Sequence, residues 1–290
     1  MITIDSLWPT FLKSQEYARL AGHGISVGPP GEGFHVAWGE NVRGVRHCTM
    51  ETGFFWDAIH FDAVGLYESA SLNFPAARRW IERFEAPRSW RTLALKPKFG
   101  QPAAKREWPG VVIVLQHPND RSILRAGSTA DYHRFVAEAC AHYGPRAFLK
   151  KHPVTLGNRA EMALVDGLAA QHGCEIGHVN PSVIDQCEFV LTYNSTFAVD
   201  ALMRGKHVVQ YAPGYFWQTG CVQYSGRHVA PRIEPGEVSA DQFLDFLVWK
   251  YCVHKLMPLE RFAELLRILA ASKELFPIPT EFSYGAYLNA

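Results

Sequence analysis

Short apolar runs alternate with longer amphipathic segments over most of the chain after residue 110. The runs 111–116 (VVIVLQ) and 147–151 (AFLKK) have the length and side-chain types of buried strands. Segments 129–143 and 158–172 place apolar residues at helical spacing. Strands that alternate with helices of this length favour a parallel sheet covered by helices on both faces.

A short strand is predicted after the helix at 158–172, and segment 189–211 then adds a strand, a helix and another strand. The apolar run 189–191 predicts a buried strand, and the polar turn 194–196 (Asn-Ser-Thr) predicts the start of a helix that ends at Gly205. A second strand follows at 208–211. Backbone N–H groups and hydroxyls at a helix start favour a phosphate. The segment therefore predicts a phosphorylated, nucleotide-like ligand.

The predicted strands of the second half end in polar residues or in Pro and Gly. Ligands of open α/β sheets bind outside the carboxyl ends of the strands. A nucleotide phosphate there would be met by Lys151, His152 and the helix start at Ser195. The predicted donor-binding residues at these strand ends are Gln116, His117, Lys151, His152, Pro153, Asn194, Ser195, Thr196, Tyr211, Gly214 and Tyr215.

The distribution of Gly, Pro and charged residues predicts two domains. Residues 1–95 mix short apolar runs with Gly and Pro and predict a first α/β domain. The Pro-, Lys- and Arg-rich segment 96–110 is typical of a linker, and the second domain is predicted over 111–257. Residues 258–290 predict a C-terminal helix and tail that we expect to pack back on the first domain. Amphipathic helices are predicted at about 240–255 and 258–272.

Composition is that of a soluble globular protein. The chain has 290 residues, enough for two modest domains, and 48% hydrophobic and 20% charged residues. A net charge of +1 gives no overall attraction to nucleic acid or to a membrane. The six cysteines show no C-x-x-C spacing, and no apolar run reaches the roughly 18 residues of a membrane span. Without a signal-peptide pattern either, we expect a cytoplasmic protein with reduced thiols and no membrane span.

Three motifs give the second half a resemblance to a known family. They are VLQHPNDRSI at 114–123, LKKHP at 149–153 and TYNSTFAVDALMRGKHVVQYAPGYFWQTG at 192–220. Together they resemble the nucleotide-binding half of the capsule-polysaccharide Kdo-transferase family. That family has a K-P-H-P-like strand end, an S-x-x-x-x-E-A-L-x-x-G-K-P-V helix and a Y/F-x-G-W-G loop. The resemblance covers roughly residues 111–220.

The resemblance implies a GT-B glycosyltransferase. Its two Rossmann-like domains would face a cleft, with C-terminal helices, a nucleotide-sugar co-substrate on the second domain and the acceptor on the first. It implies no metal and no further cofactor. By the same resemblance, His152 and Ser195 would contact the donor phosphate, and Asp200 would bind the nucleotide further along. The family's helix glutamate is Asp200 in this chain, and its G-K-P-V proline is His207.

Asp120 would lie beside the sugar carbon, as a general base or as the nucleophile of a retaining reaction. Its alternative is an N-cap or Asx-turn role before Ser122. The alternative for Asp200 is a solvated or helix-capping side chain.

In a GT-B arrangement the acceptor base comes from the first domain. Glu51, His60 and Asp62 are the candidates, because an acceptor hydroxyl loses its proton as it attacks the anomeric carbon. They lie among the aromatic residues 54–56, which suit stacking on a sugar or a base. The alternative is that these aromatic residues form core and that His60 is a satisfied histidine at the partial surface.

Basic residues interleaved with aromatic ones occupy residues 78–106. Such a stretch suits an anionic acceptor, either an acidic glycan or DNA with hydroxymethylated bases, which phage GT-B enzymes glycosylate. The alternative is a solvated charged face. The predicted acceptor-binding residues are Trp56, Arg88, Arg91, Lys96 and Lys98.

The sequence therefore predicts a metal-independent glycosyltransferase that moves a sugar from a nucleotide to a saccharide or to a hydroxymethylated DNA base. One alternative is a nucleotide-sugar epimerase or hydrolase on the same scaffold. Another is a non-catalytic component of polysaccharide assembly or export. The sequence specifies neither the sugar nor the oligomeric state.

Overall fold

The chain forms two compact units, each an α/β structure built on a parallel-rich sheet, as the sequence predicts. The first unit contains residues 1–96 and 241–290, and the second contains residues 97–240. The predicted linker 96–110 lies outside the described residues apart from its two ends. The computed structural model describes residues 1–5, 19–39, 46–96, 110–178 and 181–289.

The first unit begins with five strands. They are β1 (Ile2–Ile4), β2 (Ile25–Val27), β3 (Phe34–Trp38), β4 (Arg46–Thr52) and β5 (Ala58–Asp62). Strand β1 pairs in parallel with β2 and β3, β3 pairs in parallel with β4, and β4 and β5 are antiparallel. Helix α1 (Pro75–Arg83) follows, with Pro at its first turn, where a missing N–H costs nothing.

The second unit has a sheet of six parallel strands. They are β6 (Val111–Val114), β7 (Ala147–Lys150), β8 (Glu175–Gly177), β9 (Phe189–Thr192), β10 (His207–Gln210) and β11 (Gln223–Tyr224). Their order in the sheet is β11-β10-β9-β6-β7-β8, with every described pairing parallel. This is the strand order of a dinucleotide-binding Rossmann domain. The order reverses between β6 and β9, so the topological switch point lies there.

Five helices accompany this sheet in the described part of the second unit. They are α2 (Arg121–Ala126), α3 (Thr129–Tyr143), α4 (Arg159–His172), α5 (Pro181–Gln186) and α6 (Ala198–Met203). Helix α3 starts in a capping box of Ser128 and Asp131, and α4 ends at Gly173 in the left-handed region. The α3 residues Phe135 and Val136 are buried in one core with Ile113 of β6.

Helix α6 is shorter than the sequence predicts. It begins at Ala198, beyond the predicted start at Asn194 or Ser195, and Gly205 follows it with a φ of 70°. Asn194 makes hydrogen bonds to neighbouring loops, and the Ser195 hydroxyl accepts a hydrogen bond from the Phe197 backbone N–H, which forms a local turn. A six-residue helix has a small dipole, so it would contribute little charge to the predicted phosphate site.

The chain then returns to the first unit. It forms α7 (Ala240–Phe246), a π-helical turn at Leu247–Tyr251, β12 (Cys252–His254), α8 (Leu259–Ala271) and α9 (Tyr284–Asn289). Strand β12 pairs antiparallel with β5, which completes a sheet of order β12-β5-β4-β3-β1-β2.

The predicted helix over 240–255 is therefore wrong only beyond Tyr251, where the chain enters strand β12. Cys252 and Val253 are fully buried and exchange hydrogen bonds with β5, which a helix would not allow. The second unit accordingly ends at Ala240, whereas the sequence placed its boundary at residue 257.

Helix α8 covers the sheet of the first unit. Phe262 and Leu266 lie in one core with Ile4, Val36 and Phe61. Among the described residues, no helix is both long enough and apolar enough to cross a membrane.

We predict that Leu266→Ala destabilises the first unit by about 2–5 kcal/mol, because it leaves a cavity in a closed core. Leu266 is 0% exposed, whereas Leu256 is 63% exposed, so Leu256→Ala is the matched control. Chemical denaturation measures the loss, and hydrogen exchange of β1 to β5 locates it. Equal stability of the two variants would contradict the role of α8 in this core.

Candidate functional site

Two amide side chains bridge the switch point of the second sheet. Gln116 follows β6 and donates from Nε2 to Oδ1 of Asn194, which follows β9, at 3.0 Å. The Asn194 backbone N–H returns a hydrogen bond to Gln116 Oε1 at 3.0 Å, and the Thr192 hydroxyl donates to the same oxygen at 3.4 Å. The carboxyl ends of β6 and β9 are thereby fixed to one another.

The same amides hold two further segments. Asn194 Nδ2 donates to the carbonyl oxygen of Ser122 at 2.7 Å and to that of Pro213 at 3.0 Å. Gln116 Nε2 also donates to the Ser122 hydroxyl at 3.3 Å. All amide hydrogens of both side chains are used within the fold. Gln116 and Asn194, predicted as ligand contacts, are therefore scaffold residues that set the loop positions.

Gly214 permits a close approach between the loop after β10 and this amide pair. A Cβ atom at Gly214 would lie 2.5 Å from Gln210 Nε2 and 2.8 Å from Asn194 Cβ. Both distances are shorter than a van der Waals contact, so a side chain there would push the loop outwards. Gly214 thus lets the loop after β10 pack closely against Gln210 and Asn194.

Two adjacent lysines at the end of β7 have different surroundings. Lys151 forms a salt bridge with Asp166 at 3.1 Å and is partly exposed. Lys150 is 5% exposed, and its Nζ lies 4.7 Å from the centroid of the Phe197 ring. Burial lowers the pKa of Lys150 to about 8, and the negative charge of Asp200 opposes this shift. The sequence predicts a ligand contact for Lys151 but none for Lys150, although Lys150 belongs to the same K-K-H-P motif.

Asp200 is buried in α6, and its negative charge acts on the ammonium group of Lys150. It is 1% exposed, so in this structure it has no surface to offer a nucleotide. The predicted direct contact is therefore replaced by an electrostatic one, in which Asp200 supports the protonated form of Lys150.

The two histidines at this edge are held in similar ways. The Asn119 backbone N–H donates to Nδ1 of His117 at 3.3 Å, and the Val154 backbone N–H donates to Nδ1 of His152 at 3.3 Å. A neutral imidazole that accepts at Nδ1 carries its proton on Nε2. Each ring therefore has an Nε2–H donor, and both residues are half-buried.

Asp120 adopts the N-cap role that was its alternative. Its Oδ1 accepts from the Ser122 backbone N–H at 2.8 Å at the start of α2, and the residue is exposed. The cap fixes the carboxylate at the carboxyl end of β6 without removing it from solvent. Ser195 and Thr196, after β9, are half-buried, and Pro153, after β7, is exposed.

Tyr211 and Tyr215 are core residues of the second unit. Each is 2% exposed, and the Tyr211 ring lies 4.8 Å from that of Phe135, centroid to centroid. The sequence placed both tyrosines in the ligand site because they flank the loop that contains Gly214. Their burial removes both from direct ligand contact.

In the first unit, Asp62 is an internal anchor. Its carboxylate accepts hydrogen bonds from the backbone N–H groups of Val64, Gly65 and Ser71 at 2.8–2.9 Å. The Ser71 hydroxyl donates at 2.8 Å and the Tyr251 hydroxyl at 2.5 Å. Burial raises the pKa of Asp62, and these hydrogen bonds oppose the rise. Asp62 is 0% exposed, so it cannot serve as the predicted acceptor base.

His60 is enclosed as well. It is 0% exposed and stacks against both Phe54 and Tyr251, with ring centroids 4.7 and 5.4 Å away. Full burial differs from both sequence-based expectations, an acceptor base and a partial-surface histidine, although Phe54 and Phe55 do form core. Glu51, its partner in the β4–β5 register, is half-buried and accepts hydrogen bonds at Oε1 from the Thr52 N–H and hydroxyl at 2.8 and 3.1 Å.

The predicted acceptor-binding residues differ in what they contact. Arg91 forms a salt bridge with Asp241 at 2.9 Å and lies over the ring of Trp90, so part of its charge is neutralised. Trp56 is 51% exposed, with Lys255 Nζ 5.9 Å from its ring centroid. The side chains of Arg88 and Lys96 lie at the surface, and Lys98 lies outside the described residues. In the described ranges, no group of three or more His, Cys, Asp or Glu side chains is placed to hold a metal ion.

Solved structures support the fold. The chain is similar to the β-Kdo 2,7-transferase of Thermosulfurimonas dismutans KpsC, with 16% identity and a TM-score of 0.61 over 91% of this chain and 97% of that one. It is also similar to the β-Kdo 2,4-transferase of the same KpsC, with 16% identity and a TM-score of 0.58 over 87% and 92%. At this identity the likeness establishes the fold. A comparison with curated proteins found no significant match.

A family model described as "capsule polysaccharide biosynthesis protein" matches residues 88–234, just over half of the chain. The matched range includes the loops after β6, β7, β9 and β10. The resemblance drawn from the three sequence motifs is confirmed. The chain belongs to the capsule polysaccharide biosynthesis protein family.

Proposed function

We propose that the chain is a glycosyltransferase of capsule glycan synthesis, which binds a nucleotide-sugar donor at the carboxyl edge of the second sheet. The observation that carries the proposal is the switch point between β6 and β9, where nucleotides bind in sheets of this order. Membership of the family and the Kdo-transferase titles of the two solved structures support the reaction class.

The donor phosphate is the part of the ligand that this edge suits best. His117 and His152 each present an Nε2–H donor, and Ser195 adds a hydroxyl at the end of β9. Lys150, buried at the end of β7, supplies a positive charge near these side chains. A charge in a partly desolvated position acts more strongly than the same charge in water. These side chains take over the role that the sequence assigned to a helix dipole.

Asp120 is the carboxylate best placed for chemistry at this edge. Its hydrogen bond to Ser122 fixes the side chain, while its exposure leaves it open to a ligand. It would act as a general base or as a nucleophile at the anomeric carbon. Among the acceptor-base candidates of the first unit, Glu51 alone has an exposed fraction, so it remains the proposed acceptor base.

We propose a saccharide as the acceptor. Family membership favours a glycan over DNA, and nothing in the comparisons supports a DNA acceptor. The donor is proposed to be a nucleotide sugar, and the reaction to need no metal.

We predict that His152→Ala and Ser195→Ala each weaken nucleotide binding by about 1–2 kcal/mol, through the loss of a charge-assisted hydrogen bond. Isothermal titration with UDP, GDP, CMP and dTDP measures the effect. His142→Ala is the matched control, because the end of α3 lies towards the amino ends of the strands in a βαβ unit. If both site variants bind as the wild type does, the donor site lies elsewhere.

The proposal also predicts a pH dependence that Lys150 governs. Nucleotide diphosphate affinity should be constant below the pKa of about 8 and fall above it by up to about tenfold per pH unit, because the neutral amine no longer attracts phosphate. Lys150→Arg keeps its charge and should show no fall up to pH 9.5. Lys150→Met should bind weakly at every pH. If nucleotide affinity varied identically with pH above pH 8 in the wild type and in Lys150→Arg, Lys150 would not contribute to the site.

Chelation provides a third test. We expect nucleotide affinity and donor turnover to be unchanged in excess EDTA, because side chains are proposed to meet the phosphate charge that a divalent ion would otherwise neutralise. Full loss on chelation with recovery on adding Mg²⁺ or Mn²⁺ would contradict the metal-independent reaction.

A further inference from the structure

A cavity of about 390 Å³ opens on the surface of the first unit along α1. Its size lies in the range of small-molecule sites and suits one or two sugar rings. The described residues that line it come from one continuous stretch of α1 and the positions just after it: Ala76, Arg79, Trp80, Arg83, Phe84 and Glu85. Residues 79–85 lie in the basic and aromatic stretch 78–106, but none of the lining residues belongs to the proposed donor site or to the individually predicted acceptor-binding residues.

The cavity holds two uncompensated positive charges. Arg79 and Arg83 lie one helical turn apart, and the structure gives neither of them a salt bridge or hydrogen bond within the described residues. Arg78 on the same helix, in contrast, pairs with Glu82 at 3.0 Å. Like charges at i and i+4 destabilise a helix. An anion placed between the two guanidinium groups would relieve this repulsion.

Aromatic rings support one side of the cavity. Trp80 is 46% exposed and meets Phe276 edge-on at 6.3 Å between centroids. Phe84 meets Phe246 edge-on at 5.6 Å. These contacts hold the Trp80 ring in place while nearly half of the residue stays open to solvent. An exposed indole face suits the C–H face of a sugar ring.

Glu85 adds a hydrogen-bond acceptor to this set. The described residues give it no ion pair, so its carboxylate is available to sugar hydroxyls. A simple anion site would gain nothing from a carboxylate at its wall, which would repel the ligand. A sugar that carries both an acid group and hydroxyls can use the arginines and the glutamate together.

We propose that this cavity binds an acidic saccharide unit, with its sugar ring on Trp80 and its acid group between Arg79 and Arg83. The site would hold a charged glycan chain by a unit that is not itself reacting. This inference goes beyond the proposed transferase activity, since it needs no nucleotide and no residue of the second unit.

The test uses the full chain, in which 5-fluorotryptophan replaces the eight tryptophans. Each labelled position gives its own fluorine NMR signal. Trp80→Phe assigns the Trp80 signal. The probe is trigalacturonic acid, and its neutral methyl ester is the ligand control. We expect the acid to shift the Trp80 signal and the ester to leave it in place.

Arginine variants then test the charge recognition. Arg79→Gln and Arg83→Gln should each weaken binding of the acid about tenfold, through loss of a charge-assisted hydrogen bond. Arg78→Gln makes the same charge change on the same helix outside the cavity and should alter affinity by less than about twofold. Arg83→Lys keeps the charge and should retain part of the affinity that Arg83→Gln loses. All of these side chains are at least partly exposed, so the fold should tolerate each change.

Four results would overturn the proposal. They are an unmoved Trp80 signal, equal binding of the ester, an equal loss in Arg78→Gln, and a shift with phosphatidylglycerol vesicles or inorganic phosphate at least as strong as with the acid. No nucleotide is present in the assay. A failure of His152→Ala to affect nucleotide binding therefore leaves this inference intact, and a failure here leaves the donor site intact.

Discussion

The hydrogen-bonded amide pair of Gln116 and Asn194 determines the shape of the candidate donor site. It joins the ends of two strands that are far apart in sequence, and through Ser122 and Pro213 it fixes two further segments. Because both amides are buried and fully used, loss of either would leave unpaired polar groups in a dry environment. Loops that are held in this way present the surrounding histidines and Asp120 in set positions, which is the preorganisation that binding and catalysis need.

Charge at this edge is divided between two layers. The outer layer is partly exposed and contains Lys151, whose charge Asp166 largely neutralises. The inner layer is the buried Lys150, supported by Asp200. Burying a cation costs solvation, and a buried carboxylate nearby offsets part of that cost. A phosphate that met Lys150 would offset more of it, so affinity and the protonation of this lysine are coupled.

Sequence periodicity predicted strands β6, β7, β9 and β10 well, because each is a short apolar run bounded by turn residues, and α3 carries a clear helical repeat. Strands β8 and β11 contain no such run. Periodicity failed at 252–254, which form strand β12, because a short apolar run suits a buried helix and a buried strand equally. The burial of individual polar side chains could not be predicted from the sequence either. Asp62, His60 and Tyr211 are chemically suitable site residues, yet they lie in the core, where Asp62 and His60 contact Tyr251 and Tyr211 contacts Phe135, each far away in sequence. Sequence spacing could not separate Lys150 from Lys151 either, since only the folded structure shows which lysine is enclosed.

The first unit is assembled from both ends of the chain, with the second unit inserted between them. Its strand β5 finds its last partner, β12, only in residues 252–254. During synthesis on the ribosome residues 1–96 therefore cannot complete their sheet early, and the inserted Rossmann unit, whose segments are contiguous, can fold first. Until residues 252–254 emerge, β5 is an open sheet edge that can pair with other chains. Translation products that lack β12 should consequently aggregate through residues 1–96.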